Sequence, residues 1–262
     1  LFGTPLQYTE PVHKDPLVRP VNPDSTRLQL SRRGCAQLAQ HPFWREAESR
    51  LRDRFVYIRE QQGPRLEHGI AQYGQPIQLA PRSIQLVWSV GLLAYLAQPR
   101  ATLEFWAGLL RPSGLLMFVT LGPDSLRQFA LDLDDADQLK HVPGHPDMHD
   151  IGDALVGLGL ADPVMDVEWI EFTYSSAELA LTDIRTLGGN PLLARPAGLS
   201  GRGWRDRVLQ ALESQRRAGS IRLRIELVFG HAWAPDPNTR TAKPDPAAPQ
   251  PVVWASRGRK DP

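Results

Sequence analysis

The chain is expected to fold as an α/β protein, a largely parallel sheet with flanking helices. Short apolar, β-branched runs at Ile84–Val90 and Leu115–Thr120 have the composition of buried strands. Between and after them come segments with helical spacing of apolar residues, closed by glycine or proline. Strands alternating with helices in this way favour a sheet crossed by helical connections. At 262 residues the chain can build a core of ordinary size. Its 42% hydrophobic and 23% charged content is that of a soluble globular protein.

Residues 1–26 carry five prolines and little periodicity, and read as an extended, poorly ordered arm. Leu38, Phe43, Trp44, Ala47, Leu51 and Phe55 then recur at helical spacing, which predicts one or two amphipathic helices in residues 27–60 with a break at Pro42. Residues 61–76 are polar and contain Gly63, Gly69 and Gly74, a loop in this reading. A strand at Ile84–Val90 is followed by a helix over Leu92–Leu110, stopped by Arg111-Pro-Ser-Gly114, and by the strand Leu115–Thr120. Ser125–Leu139 is predicted helical, with Asp132, Asp134, Asp135 and Asp137 on a solvated face. Further helices are expected at Asp150–Leu158, Ser176–Leu187 and Trp204–Ala218, and strands at Val164–Tyr174 and Arg222–His231. The proline-rich stretch 235–251 reads as a loop, and Val252–Ala255 as a returning edge strand. The domain division is thus an arm at 1–26, a helical cap at 27–60 and an α/β domain at 61–262.

The formal net charge of +1 favours neither nucleic acid nor a membrane surface as a partner. A single cysteine, Cys35, rules out an internal disulfide and a multi-cysteine metal site, and fits a reducing, cytoplasmic setting. No basic start with an apolar run precedes Leu1-Phe-Gly-Thr, so a secretory signal is not expected. The absence of an initiator Met leaves open a fragment, a processed product or an unusual start.

His141, His145 and His149, with Asp147 and Asp150, have the residue types of a metal cluster. Pro143, Gly144 and Pro146 forbid one helix through them. The favoured reading is a loop and helix cap, with Asp147 capping the helix that starts near Met148 and no metal bound. A metal-dependent hydrolase remains the weakest of the functional alternatives. Basic residues crowd the segment from Arg195 to Arg224, among them Arg202, Arg205, Arg207, Arg216, Arg217, Arg222 and Arg224. They form either a solvated face or a docking surface for an acidic partner.

Several strings share an order and spacing. They are Leu86-Val-Trp-Ser89, Leu110-Arg-Pro-Ser-Gly-Leu-Leu-Met-Phe118, Thr120-Leu-Gly-Pro-Asp124, Met148-His-Asp-Ile-Gly-Asp153, Ala161-Asp-Pro-Val-Met-Asp166, Leu187-Gly-Gly-Asn190 and Gly230-His-Ala-Trp233. In these the chain resembles the malonyl-acyl-carrier-protein O-methyltransferases of biotin synthesis, and class I S-adenosylmethionine (SAM) methyltransferases more widely. The resemblance implies a Rossmann-like sheet, SAM as cofactor, a malonyl thioester substrate and an acyl carrier protein as partner. It makes Trp88 and Ser89 candidates for the cofactor side, and His149, Asp150, Asn190, His231 and Trp233 candidates for the substrate pocket. Arg216 and Arg217 become candidates for carrier docking, since an acyl carrier protein is acidic.

In that family a glycine-rich turn after the first strand lets the backbone approach the cofactor. Two βα units and a third strand need roughly 50 residues, whereas Phe55 to Leu79 inclusive is only 25, with no Gly-x-Gly and no apolar strand before a glycine. The N-terminal half of the sheet is therefore expected to be shortened. In Leu79-Ala-Pro-Arg-Ser-Ile-Gln-Leu-Val-Trp-Ser-Val90, Pro81 and Gln85 stand where acids are usual and Val90 where an amide is. Two readings follow: a divergent methyltransferase, or a pseudoenzyme that keeps the fold as a binding or assembly module without SAM.

Overall fold

The computed structural model describes residues 17, 21, 23–58, 62–133, 144–187 and 202–237. Its spine is a mixed sheet. The strands are β1 (Arg65–Glu67), β2 (Ile84–Val90), β3 (Leu110–Leu121), β4 (Ala161–Tyr174), β5 (Arg216–Arg217) and β6 (Ser220–Trp233). Their spatial order is β1-β2-β3-β6-β4, and β5 pairs with β6. The helices are α1 (Pro23–Arg33), α2 (Cys35–Ala39), α3 (Pro42–Phe55), α4 (Pro99–Leu109), α5 (Arg127–Leu133), α6 (Met148–Gly157), α7 (Ala177–Thr186) and α8 (Arg202–Glu213).

The expected α/β class is what the structure shows, but the sheet is not largely parallel. β1, β2 and β3 run parallel, while β6 pairs antiparallel with β3, β4 and β5. Alternation along a strand reports which face is buried and says nothing of its direction. A tight hairpin, with Ala218 at φ 49° and Gly219 at φ 85°, turns the chain from β5 into β6, the left-handed pair that two-residue hairpins use. The helix expected to reach Ala218 therefore stops at Glu213.

Other boundaries move for local reasons. The expected helix 92–110 is split into a 3₁₀ turn at Leu92–Tyr95 and α4, because Pro99 sits in the first turn of a helix and starts it afresh. No loop follows α4; β3 begins at Leu110 and bends at Ser113, φ 57°. The proposed arm 1–26 is corrected in part: α1 begins at Pro23, and Leu17 and Val21 are buried. The polar stretch 61–76 holds the strand β1 and a 3₁₀ turn at Ile70–Gln72. The break at Pro42 is present, and His41 caps α3 by accepting the Phe43 N–H on Nδ1 at 3.2 Å. Asp134, Asp135 and Asp137, the Gly188-Gly189 stop, the loop beyond residue 237 and the edge strand Val252–Ala255 lie outside the described residues.

Two apolar layers sandwich the sheet. On one face Leu30, Phe43, Trp44, Ala47 and Leu51 pack on Leu86, Leu115, Met117, Val119, Leu227 and Phe229. On the other, Leu103 and Trp106 of α4 and Ile151, Ala154 and Leu155 of α6 pack on Val87, Leu116, Phe118 and Val228. The helices of residues 27–60, read as a cap, form a covering layer over one face of the sheet. Arg50 and Arg54 fix it further, pairing with Glu168 at 2.8 Å each, and the Arg54 guanidinium lies 3.7 Å above the Phe229 ring.

β3 reaches only as far as Leu227 on β6, whereas β4 pairs with β6 along to Ile221. Residues 169–174 and 221–226 therefore continue beyond β3 as a ribbon, joined at Ile221 by the short β5. A separate apolar cluster forms there, with Phe129, Ala180, Leu181, Val208, Ala211 and Leu212 around Ile221 and Leu223.

Candidate functional site

In a parallel sheet, ligands bind outside the carboxyl ends of the strands. Here those ends are Glu67 of β1, Val90 of β2 and Leu121 of β3. The His68 N–H donates to the Trp88 carbonyl at 2.9 Å, extending the β1–β2 pairing past the strand. The Trp106 indole donates to His68 Nδ1 at 2.9 Å, and burial pushes the His68 pKa down, so the ring is held neutral. Gly69 follows. A Cβ there would lie 3.0 Å from the Val90 carbonyl oxygen, so the glycine serves close approach of the turn to β2. A strand does precede Gly69, though not an apolar one. With only Leu66 apolar in Arg65-Leu-Glu67, it carried no hydrophobic signal.

Trp88 and Ser89 are both buried, at 8% and 0% exposure, and the Trp88 indole nitrogen and Ser89 hydroxyl have no hydrogen-bond partner among the described residues. Trp88 faces the α3 layer, with the Phe55 ring edge-on at 5.6 Å and the Arg52 guanidinium at 5.5 Å. Beyond β2, Gly91 has φ 71°, and a Cβ there would meet Ile70 at 2.5 Å and Trp44 at 2.7 Å. Trp44 is fixed in turn: its indole donates to the Tyr95 hydroxyl at 3.2 Å, which donates to the Leu187 carbonyl at 2.6 Å.

The proposed pocket residues are placed on different faces of the sheet. His231 and Trp233 share the alternation of Phe229, and Trp233 packs in the α3-side cluster. Burial lowers the His231 pKa. His149 and Asp150 lie in the first turn of α6, on the opposite side, and His149 is exposed. Asp147 caps that helix as expected, accepting the His149 N–H at 2.7 Å. His141 and Asn190 lie outside the described residues.

Arg216 is spent on the hairpin. It pairs with Glu213 at 2.7 and 2.8 Å and donates to the Gly219 carbonyl at 2.8 Å. Arg217 donates to the Ser214 and Arg216 carbonyls and also lines a cleft of about 530 Å³. The cleft lies between α5 and the ribbon, with Trp169, Arg222 and Arg224 in its wall.

Sequence reasoning missed two networks. One joins His41 Nε2 to Asp183 at 2.9 Å and Tyr174 to the same carboxylate at 2.5 Å, with burial and then that carboxylate pushing the Tyr174 pKa up. The other centres on Glu226, which accepts the Asp124 N–H at 2.7 Å. Burial raises the Glu226 pKa; Asp124 and Asp147 add to this and the Asp124 N–H opposes it. Both networks join residues more than forty positions apart through at least one contact, so no local motif announces them.

These features define a class first: a three-layer α/β protein whose short parallel half runs into an antiparallel half. Within it, the chain is a homologue of proteins named malonyl-[acyl-carrier protein] O-methyltransferase. It is 41% identical over 162 residues to the one from Laribacter hongkongensis, covering 62% of this chain and 54% of that protein. To the one from Nitrosospira multiformis it is 34% identical over 197 residues, covering 75% of this chain and 64% of that protein. The chain thus spans less than two thirds of the length of these relatives. No protein-family model matches it. Among solved structures, the YcgJ protein from Bacillus subtilis superposes with a TM-score of 0.41 at 12% identity, over 74% of this chain and 78% of that one, a likeness too weak to bear on the fold.

Proposed function

We propose that the chain is a divergent methyltransferase that esterifies the free carboxylate of a malonyl thioester carried by an acyl carrier protein, with SAM as methyl donor. The observation that carries this reading is the 41% identity over 162 residues to a protein bearing that name. The candidate cofactor groups are the buried Trp88 indole nitrogen, on the α3 face, and the Ser89 hydroxyl, on the opposite face, polar atoms near the carboxyl end of β2 without partners among the described residues. Such atoms are costly to bury unless something meets them. SAM supplies an electrophilic methyl group when bound. The acceptor carboxylate is ionised at neutral pH, so this chain needs no general base and contributes orientation and exclusion of water.

A second reading, a binding or assembly module that keeps the fold without SAM, is favoured by one feature. The space beside Gly91 is filled by Trp44 and Ile70, and Gly69 is committed to the Val90 carbonyl. Calorimetric titration of the folded chain with SAM separates the two. Micromolar binding, with methyl transfer to a malonyl carrier protein, is expected; no binding, or binding only at millimolar SAM, overturns the methyltransferase reading.

A further inference from the structure

The cleft beside the ribbon has an unbalanced charge. Its lining holds four arginines, Arg127, Arg217, Arg222 and Arg224, and two carboxylates, Asp124 and Glu171. Each carboxylate is already used, Asp124 by Arg127 at 2.5 Å and Glu171 by Arg222 at 3.1 Å. Arg217 and Arg224 have no carboxylate partner among the described residues. Arg217 donates to two backbone carbonyls, and Arg224 lies 4.3 Å above the Trp169 ring. Carbonyl contacts and ring stacking hold a guanidinium in place without cancelling its charge.

The same cleft exposes apolar surface. Trp169 is 38% and Leu131 41% exposed. A half-exposed tryptophan and leucine rimmed by fixed cations have the anatomy of an interface centre, where aromatic and Arg side chains concentrate the binding energy. The cations are also held on strands and a tight hairpin, so little conformational freedom is lost on docking.

We infer that this cleft, with Arg217 and Arg224 as its free charges and Trp169 as its anchor, is where an acidic carrier protein docks. The identity of the partner rests on the proposed function; the charge and shape of the surface do not. Of the two docking residues singled out in the sequence, Arg217 is retained and Arg216 is replaced by Arg224, because Glu213 neutralises Arg216.

The test measures binding of malonyl-loaded acyl carrier protein to the full chain by calorimetry at low salt, with SAM titrated in parallel. Arg217→Glu combined with Arg224→Glu is expected to weaken carrier binding by about tenfold or more, and added salt should weaken the wild type. Arg45→Glu, at an exposed position on α3, should leave it unchanged. Arg224 sits opposite Glu171 across the strands, so charge reversal there also strains the ribbon. Arg217→Gln with Arg224→Gln, checked for an unaltered thermal midpoint, supplies a milder pair that should lose several-fold. Wild-type affinity in both pairs, an equal loss in Arg45→Glu, or no carrier binding by the wild type overturns the docking site. Carrier binding that depends on these arginines without any SAM binding supports the docking site and removes methyl transfer instead.

Discussion

At the scale of single residues, the groups that organise this molecule are mostly charged side chains brought in from elsewhere in the chain. Glu226 is buried on β6 and holds the turn after β3 through the Asp124 N–H. Its folded pKa is raised, chiefly by burial, so its ionisation opposes folding. The penalty is absent below the ordinary glutamate range and grows as pH rises through it toward the raised value. Glu226→Gln keeps the acceptor and removes the charge. The variant should match wild type in urea midpoint at acid pH and exceed it at neutral pH; a midpoint difference that does not change with pH would count against this account. Glu168 has the opposite sign. Burial opposes its ionisation, but the Arg54 and Arg50 hydrogen bonds outweigh it and lower its pKa, so its contribution is present at neutral pH and lost as pH falls through the lowered value. None of these partners is near in sequence, so neither shift could be read from the chain.

At the scale of elements, the sequence was most informative where burial is periodic. The amphipathic pattern of Phe43, Trp44, Ala47 and Leu51 placed α3, and these residues are its buried face. The run Leu115–Thr120 placed the centre of β3, which is buried throughout. The Asp147 cap of α6 follows from its residue type, and it accepts the expected backbone N–H; the structure adds Ser176 as the cap of α7. β1 was invisible because a three-residue strand at the sheet edge, with two charged residues, has no hydrophobic period. Gly230 shows how tightly the strands are packed. A Cβ there would lie 2.3 Å from the buried Phe118 ring across the ladder. Gly230→Ala should therefore destabilise the fold by about 1–3 kcal/mol, measured by chemical denaturation. A variant as stable as wild type would mean that the ring can move aside.

Across the whole molecule, the far end of the ribbon of β4 and β6 has its own apolar cluster around Ile221 and Leu223, while its Ile170 and Ile225 still join the α3-side layer. The ribbon segment 221–226 has β4 on one side but lacks β3 on the other. Its amides should exchange with solvent through a partial opening, at lower free energy than those of β2 and β3, which exchange only on global unfolding. Uniform protection by native-state hydrogen exchange would refute that division. The same geometry makes the ribbon the place where Trp169, Arg217 and Arg224 meet. By itself the sequence determined the class of fold, most strands and helices, the Asp147 cap and the resemblance to proteins named malonyl-[acyl-carrier protein] O-methyltransferase. These reside in periodicity, turn chemistry and ordered motifs, which are local or collinear properties. Only the tertiary structure decided that half the sheet is antiparallel, that the N-terminal helices cover a face, that Arg216 is neutralised and Arg224 is not, and that Trp44 and Ile70 fill the space beside Gly91. Each of these depends on which distant side chains share a face or an edge, and that is settled by chain direction and packing together.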